Sequence, residues 1–278
     1  MKRSVGFFIL FVLMVLAFSC TKERGVQNGD IEYSTDNEHI KSEWMNGSIV
    51  HQYLYDQTGK IVEENCLSYY KKYLYNENDR LFKVESAFDR SGLSSSMPVE
   101  IRTEFMTSKN STADSYSLYQ YDSEERLSKI DHYFNEAGKN FEYRSMQTFE
   151  YEESNIVKVN LYYVPEGKIT QFRVYTYDDQ GNVVNEKYYS NLERSEPELI
   201  SETSYKYDNY KNPFQIFSIT GSPGFYTNVN NIIETSLIRH YEVPGFDKYS
   251  TENRSYEYNS NGYPVKAIFT NSVEEYRY

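Results

Sequence analysis

The sequence predicts an all-β protein, built as one antiparallel up-and-down meander of about 12–14 strands that curves strongly or rolls into a barrel. Three observations carry this. A Tyr-x-Tyr-Asp-x-x-Gly pattern recurs seven times, starting at Tyr53, Tyr73, Tyr119, Phe149, Tyr175, Tyr205 and Tyr256. Thirty tyrosines and 16 phenylalanines supply the residue types that suit a pleated surface. After one copy of the pattern, Val157, Val159, Leu161 and Tyr163 alternate with Lys158, Asn160 and Tyr162, as in a strand with one wetted face.

From the N-terminus, Lys2 and Arg3 precede an apolar run from Val5 to Phe18 that ends at Ser19-Cys20. The run is short for a membrane span of about 20 residues and has the length of a secretory h-region. It resembles a bacterial lipoprotein signal, which implies a signal peptide over residues 1–19 and acyl chains on Cys20. Each buried methylene contributes about 0.8 kcal/mol, so two or three chains anchor firmly where one does not. Thr21 after the cysteine, by the same resemblance, implies the outer membrane, with the periplasmic or extracellular face left open. Residues 20–45 are polar and without period, and read as the lipidated cysteine and its tether.

Residues 46–278 then read as a single domain of repeated hairpins. Each repeat closes on a turn. In Asp178-Asp179-Gln180-Gly181, the aspartate can bond the backbone two residues on, and the glycine supplies a positive φ. Asp56 with Gly59 and Asn259 with Gly262 hold the same places. Asp79 and Asn155 stand where the glycine should, as residues tolerant of left-handed geometry, while Glu125 and Lys211 depart from the rule. A second set of turns, at Phe88–Gly92, Phe134–Gly138 and Val164–Gly167, hands one hairpin to the next. Within each copy the paired aromatics, such as Tyr175 and Tyr177, stand two apart and so share a strand face. Residues 221–248, rich in glycine and proline, break the pattern and read as a long excursion.

Charge and chemistry narrow the function. Loss of the signal removes two of 29 basic residues against 41 acidic ones and leaves a net charge of −14. Such a surface repels nucleic acid. Once Cys20 is acylated, Cys66 is the one thiol left, so no intramolecular disulfide forms. The four histidines lie far apart in sequence and suggest no metal site, and no cofactor motif is present. Ser68-Tyr69-Tyr70-Lys71 matches Ser-x-x-Lys by letter but lies in an aromatic strand rather than the helix that motif requires.

The repeats resemble the YD repeats of large secreted bacterial shell proteins. A closer likeness is to uncharacterised Gram-negative lipoproteins with a domain of unknown function and a porin-like fold. Cys20 after a signal, the hairpins, Lys211-Asn212-Pro213-Phe214 and the closing Tyr256–Pro264 segment carry that resemblance over most of residues 45–278. It implies a porin-like fold and no catalytic residues.

The expectation is therefore a non-catalytic binding or interaction module, held to the membrane by its lipid, with a glycan or a protein as ligand. Candidate contacts are Tyr175, Tyr177, Tyr205, Tyr207, Phe225, Tyr226 and Phe246. A structural envelope component and a membrane-spanning barrel are the alternatives. Against the last, Lys129, Asp131 and His132 put charge on both faces of one strand.

Overall fold

The computed structural model describes residues 39–89, 104–135, 140–164, 169–191, 196–221, 223–241 and 247–278. The signal, Cys20 and Phe246 lie outside these, as do most of the second-set turns. The described residues hold seventeen strands. In chain order they are β1 (Ser42–Met45), β2 (Ser48–Tyr55), β3 (Ile61–Cys66), β4 (Tyr69–Tyr75), β5 (Leu81–Phe88), β6 (Ser115–Tyr121), β7 (Leu127–Phe134), β8 (Glu142–Glu153) and β9 (Ile156–Tyr163). Then follow β10 (Ile169–Tyr177), β11 (Val183–Ser190), β12 (Glu198–Lys211), β13 (Asn230–Arg239), β14 (Tyr249–Asn253), β15 (Ser255–Tyr258), β16 (Pro264–Ile268) and β17 (Val273–Arg277). A 3₁₀ helix, Pro213–Thr220, lies between β12 and β13.

Strands β1 to β13 each pair antiparallel with the next, as do β15 and β16, and β17 returns to pair with β1. β14 and β15 are two halves of one path, divided at Arg254, whose N–H reaches the Ile233 carbonyl at 2.8 Å. The first half pairs with β13 and the second with β16. The sheet is thus a nearly closed barrel. It has more strands than the repeat predicts because β1, β13 and β14 come from segments that lack the motif. The polar segment read as a tether gives way before residue 45: Ile40 is fully buried and Ser42 begins β1.

The repeated turn has one geometry. The side-chain oxygen of Asp56, Asn76, Asp122, Asp178 and Asn259 accepts the N–H groups two and four residues on, at 2.8–3.0 Å. Positive φ follows at Gly59 (81°), Asp79 (62°), Glu125 (69°), Gly181 (90°) and Gly262 (79°). Glu125, which departs from the rule in sequence, therefore keeps it in structure. Asn155 instead sits in a two-residue turn between β8 and β9, and its φ is not among the positive ones. The copy at Tyr205 makes no hairpin, although Asp208 Oδ1 keeps the bond to the N–H two residues on, that of Tyr210, at 2.9 Å. β12 runs on through Lys211, and the Asp208 carboxylate accepts from Asn231 of β13 and Tyr258 of β15.

The second tyrosine of the pair has a recurring task. Tyr75, Tyr121 and Tyr151 donate their hydroxyls to the carbonyls of Ile61, Leu81 and Leu127, and Tyr278, outside the seven copies, donates to that of Pro264, all at 2.8–2.9 Å. Tyr207 does the same to Val183. Each acceptor is the second residue after the positive-φ position of the preceding hairpin. The ring stays in the core and the hydroxyl satisfies a strand-end carbonyl, so both parts of the tyrosine are used.

Lys211-Asn212-Pro213-Phe214 leads the chain into the barrel. Asn212 caps the 3₁₀ helix: its Oδ1 accepts Phe214 N–H at 3.0 Å, and Pro213 follows at the first helical positions, where its missing N–H costs nothing. Phe214 and Phe217 enter the buried cluster formed by Tyr53, Tyr73 and Tyr276. Phe217 meets the Tyr53 ring edge-on, with centroids 5.1 Å apart. The described residues from Asn212 to Val229 therefore form a plug within the lumen. The excursion expected over residues 221–248 divides: its first part belongs to the plug, and Asn230–Arg239 is strand β13.

Alternation along the strands puts the buried tyrosines inside and the next residues outside. Outside, cross-strand ion pairs join Lys158 to Glu150 (3.2 Å), Lys206 to Glu234 (3.0 Å) and Lys266 to Glu257 (3.3 Å). No helix among the described residues is long and apolar enough to cross a membrane.

Candidate functional site: the barrel lumen

A cavity of about 240 Å³ lies against the inner wall of β8–β11, above the end of the plug. Gln147, Leu161, Gln171, Arg173, Tyr175 and Tyr188 line it, with Gly221 and Pro223 at its base. β-Register brings these together: Gln147 pairs with Leu161, Leu161 with Gln171, Arg173 with Tyr188, and all five face inward. Gly221 is required at the base. Its φ is 73°, and a Cβ there would sit 1.8 Å from Leu127 Cδ2.

The wall is polar and tightly held. Tyr188 donates to Gln171 Oε1 at 2.5 Å, and the Arg173 guanidinium lies 4.4 Å from the Tyr188 ring centroid. Glu186 accepts from Arg173 Nη1 and from the Tyr205 hydroxyl, the latter at 2.9 Å. Burial alone would lower the Arg173 pKa, but the Glu186 carboxylate outweighs it and the net shift is upward, so the guanidinium stays charged. Tyr175 is pushed up by burial and then by the Glu186 charge, so it stays a neutral hydroxyl. The chemistry offered to a ligand is an aromatic face, two amides and a fixed cation with its counter-ion.

The opposite wall, on β1–β4, carries a chain of ionisable groups. Glu64 accepts from Tyr69 (2.5 Å), Tyr73 (3.0 Å) and Lys71 (3.0 Å). Tyr69 also meets His51 Nε2 at 3.1 Å, and His51 Nδ1 meets Glu43 Oε2 at 3.3 Å. Among the described residues no group of three or more histidine, cysteine, aspartate or glutamate side chains is placed to hold a metal ion.

Of the candidate ligand contacts, Tyr175 lines the cavity and Tyr205 reaches it through Glu186 and Arg173. Tyr177 meets Thr227 of the plug at 3.2 Å, and Tyr207 holds the Val183 carbonyl. Phe225 packs on Phe214 (4.8 Å) and Tyr226 on Phe217 (5.5 Å). Each of these four bonds to or packs on another part of the protein. Sequence reasoning passed over Gln147, Gln171, Arg173 and Tyr188, and the signal that finds them is their shared inward register with Tyr175.

No family model and no curated protein matches the chain. Among solved structures, a porin-like protein from Bacteroides vulgatus is similar over 86% of this chain and 98% of its own, with 11% identity and a TM-score of 0.52. A porin-like protein from Bacteroides uniformis is similar over 81% of this chain and 88% of its own, with 8% identity and a TM-score of 0.35. The Tc holotoxin pore of Photorhabdus luminescens matches over 79% of this chain and 10% of its own, with 12% identity and a TM-score of 0.28. The first of these shows a shared porin-like fold.

Proposed function

We propose that this protein is an outer-membrane lipoprotein, anchored through Cys20, whose barrel binds a small glycan in its lumen without catalysis. The lumen cavity carries the reading. An aromatic face beside amides and a guanidinium is the combination that suits a sugar ring, whose faces are apolar and whose edge is hydroxyls. At about 240 Å³ the space lies below the roughly 300–1,000 Å³ of drug-sized pockets and favours one or two sugar units. The ion pairs on the outer face argue against strands in contact with lipid, which need an apolar band about 25 Å tall. The anchor reading rests on the signal-like segment ending at Cys20.

Two measurements test this. A glycan array followed by calorimetry should find a ligand whose affinity falls at least tenfold in Arg173→Ala and Gln171→Ala. Labelled palmitate should incorporate into the full chain and not into Cys20→Ala. Blank glycan and peptide arrays, together with loss of envelope integrity on deletion, would favour the structural role instead.

A further inference from the structure

Arg173 is the one charged side chain among the residues that line the lumen cavity, and that side chain is 46% exposed. Its counter-ion is placed differently. Glu186 is 13% exposed and does not line the cavity, so a ligand meets the cation rather than the pair. The carboxylate holds the guanidinium from behind and leaves its open side toward the space.

The hydrogen-bonding groups left over in this wall are donors. Glu186 takes Nη1 of Arg173, the Tyr188 ring covers one side of the guanidinium at 4.4 Å, and the Tyr175 hydroxyl stands beside it. Among the described residues no second carboxylate takes Nη2 or Nε, which together form the planar fork that matches a carboxylate. Tyr188 gives its proton to Gln171 Oε1 at 2.5 Å, which leaves the Gln171 Nε2 group as a further donor. A ligand that completes these bonds brings acceptors. The guanidinium favours one that bears negative charge. A neutral sugar would leave the fork unpaired after displacing its water, and an unpaired charged donor is costly.

We propose, building on the glycan reading of the lumen, that its ligand is a short acidic sugar, a uronic-acid unit whose carboxylate docks on the Nε–Nη2 fork of Arg173. The sugar ring then lies against the aromatic wall, with its hydroxyls on the Gln171 and Gln147 amides. Two features keep the ligand short. The cavity holds about one or two sugar units. The chain as a whole, with 41 acidic against 29 basic residues, repels a long polyanion. Arg173 is the residue that sets specificity, and Glu186 tempers it by sharing the guanidinium charge.

Calorimetry on the full chain tests this with matched pairs of disaccharides, galacturonic and glucuronic acid dimers against the same dimers with each carboxyl reduced to the alcohol. The acid should bind at least about tenfold more tightly than its reduced form, as expected for hydrogen bonds to a charged group. Arg173→Gln should abolish the ratio, so that acid and alcohol bind alike. Glu186→Gln removes the counter-ion at nearly constant shape and should widen the ratio, which decides the matter where Arg173→Gln does not fold. A ratio near one in the parent, a ratio that persists in Arg173→Gln, or one that narrows in Glu186→Gln overturns the inference. Binding of neutral glycans alone overturns the acidic preference and leaves the glycan reading standing, whereas no response to any glycan overturns both.

Discussion

The hydroxyl of Tyr75 donates to the carbonyl of Ile61 at 2.8 Å, and Ile61 stands two residues after Gly59, the left-handed residue of the preceding hairpin. The same relationship joins Tyr121 to Leu81 and Tyr151 to Leu127. The repeat thus encodes a link between neighbouring hairpins as well as a hairpin. Tyr75→Phe keeps the ring and removes the donor. It should cost about 1 kcal/mol, read as a lower urea midpoint with an unchanged slope. An equal stability for the phenylalanine variant would show that water or relaxation satisfies the carbonyl.

Gly221→Ala should be far more damaging. The new methyl would overlap the Leu127 side chain at a backbone φ of 73°. Overpacking and left-handed strain together should cost about 2–4 kcal/mol, measured as a fall in thermal midpoint. Gly224→Ala separates the two causes, since its φ is 96° and nothing lies within 4 Å of its added methyl. It should cost only the backbone part.

Glu125→Gly should stabilise. Glu125 holds the turn at a φ of 69°, where glycine stands in three sister turns, and its side chain is three-quarters exposed. Relief of left-handed strain, set against the greater unfolded entropy of glycine and the loss of the ion pair with Arg80, leaves a gain of up to about 1 kcal/mol. Chemical denaturation would check the sign.

The stability contributed by His51 depends on pH with a definite sign. Its folded pKa is raised to about 10 from an ordinary 6.5. The folded state therefore holds the proton more tightly, and the contribution is complete below about pH 6.5 and is lost as pH rises toward 10. The stability difference between the parent and His51→Gln should be largest at pH 6 and shrink steadily up to pH 10. A difference that grows with pH would contradict a raised His51 pKa.

The turns were legible in the sequence because everything they need is local. Asp178 and Gly181 are three residues apart and bond only to their own hairpin. The hydroxyl task of the second tyrosine was hidden, since Tyr121 finds its acceptor 40 residues away. Asn155 misled because tolerance of left-handed backbone is a permission and the β8–β9 pairing chose a shorter turn. Asp208 misled for the opposite reason: its flanks match the motif, yet Asn231 and Tyr258 claim its carboxylate. The glycines and prolines after Gly221 concealed β13, whose Asn-rich start is held by Asn182 and Asp208 rather than by strand-favouring residues. His51 and Cys66 are 15 positions apart, and only the β2–β3 register sets them side by side.

Closure of the barrel by β1 and β17 also sets how the chain must fold. Lys41 N–H meets the Arg277 carbonyl at 2.7 Å, a contact between opposite ends of the described chain. Its loop-closure entropy is among the largest this protein can face, and little repays it until neighbouring hairpins are in place. The hairpins, each closed by its own short turn, can form early and independently. The seam forms late, around a plug that is covalently continuous with β12 and β13 and so cannot be threaded in afterwards. Until then β1 and β17 are bare sheet edges, open to pairing with another chain. Aggregation during refolding should therefore rise steeply with concentration and fall when a peptide spanning β1 is supplied to cover the β17 edge.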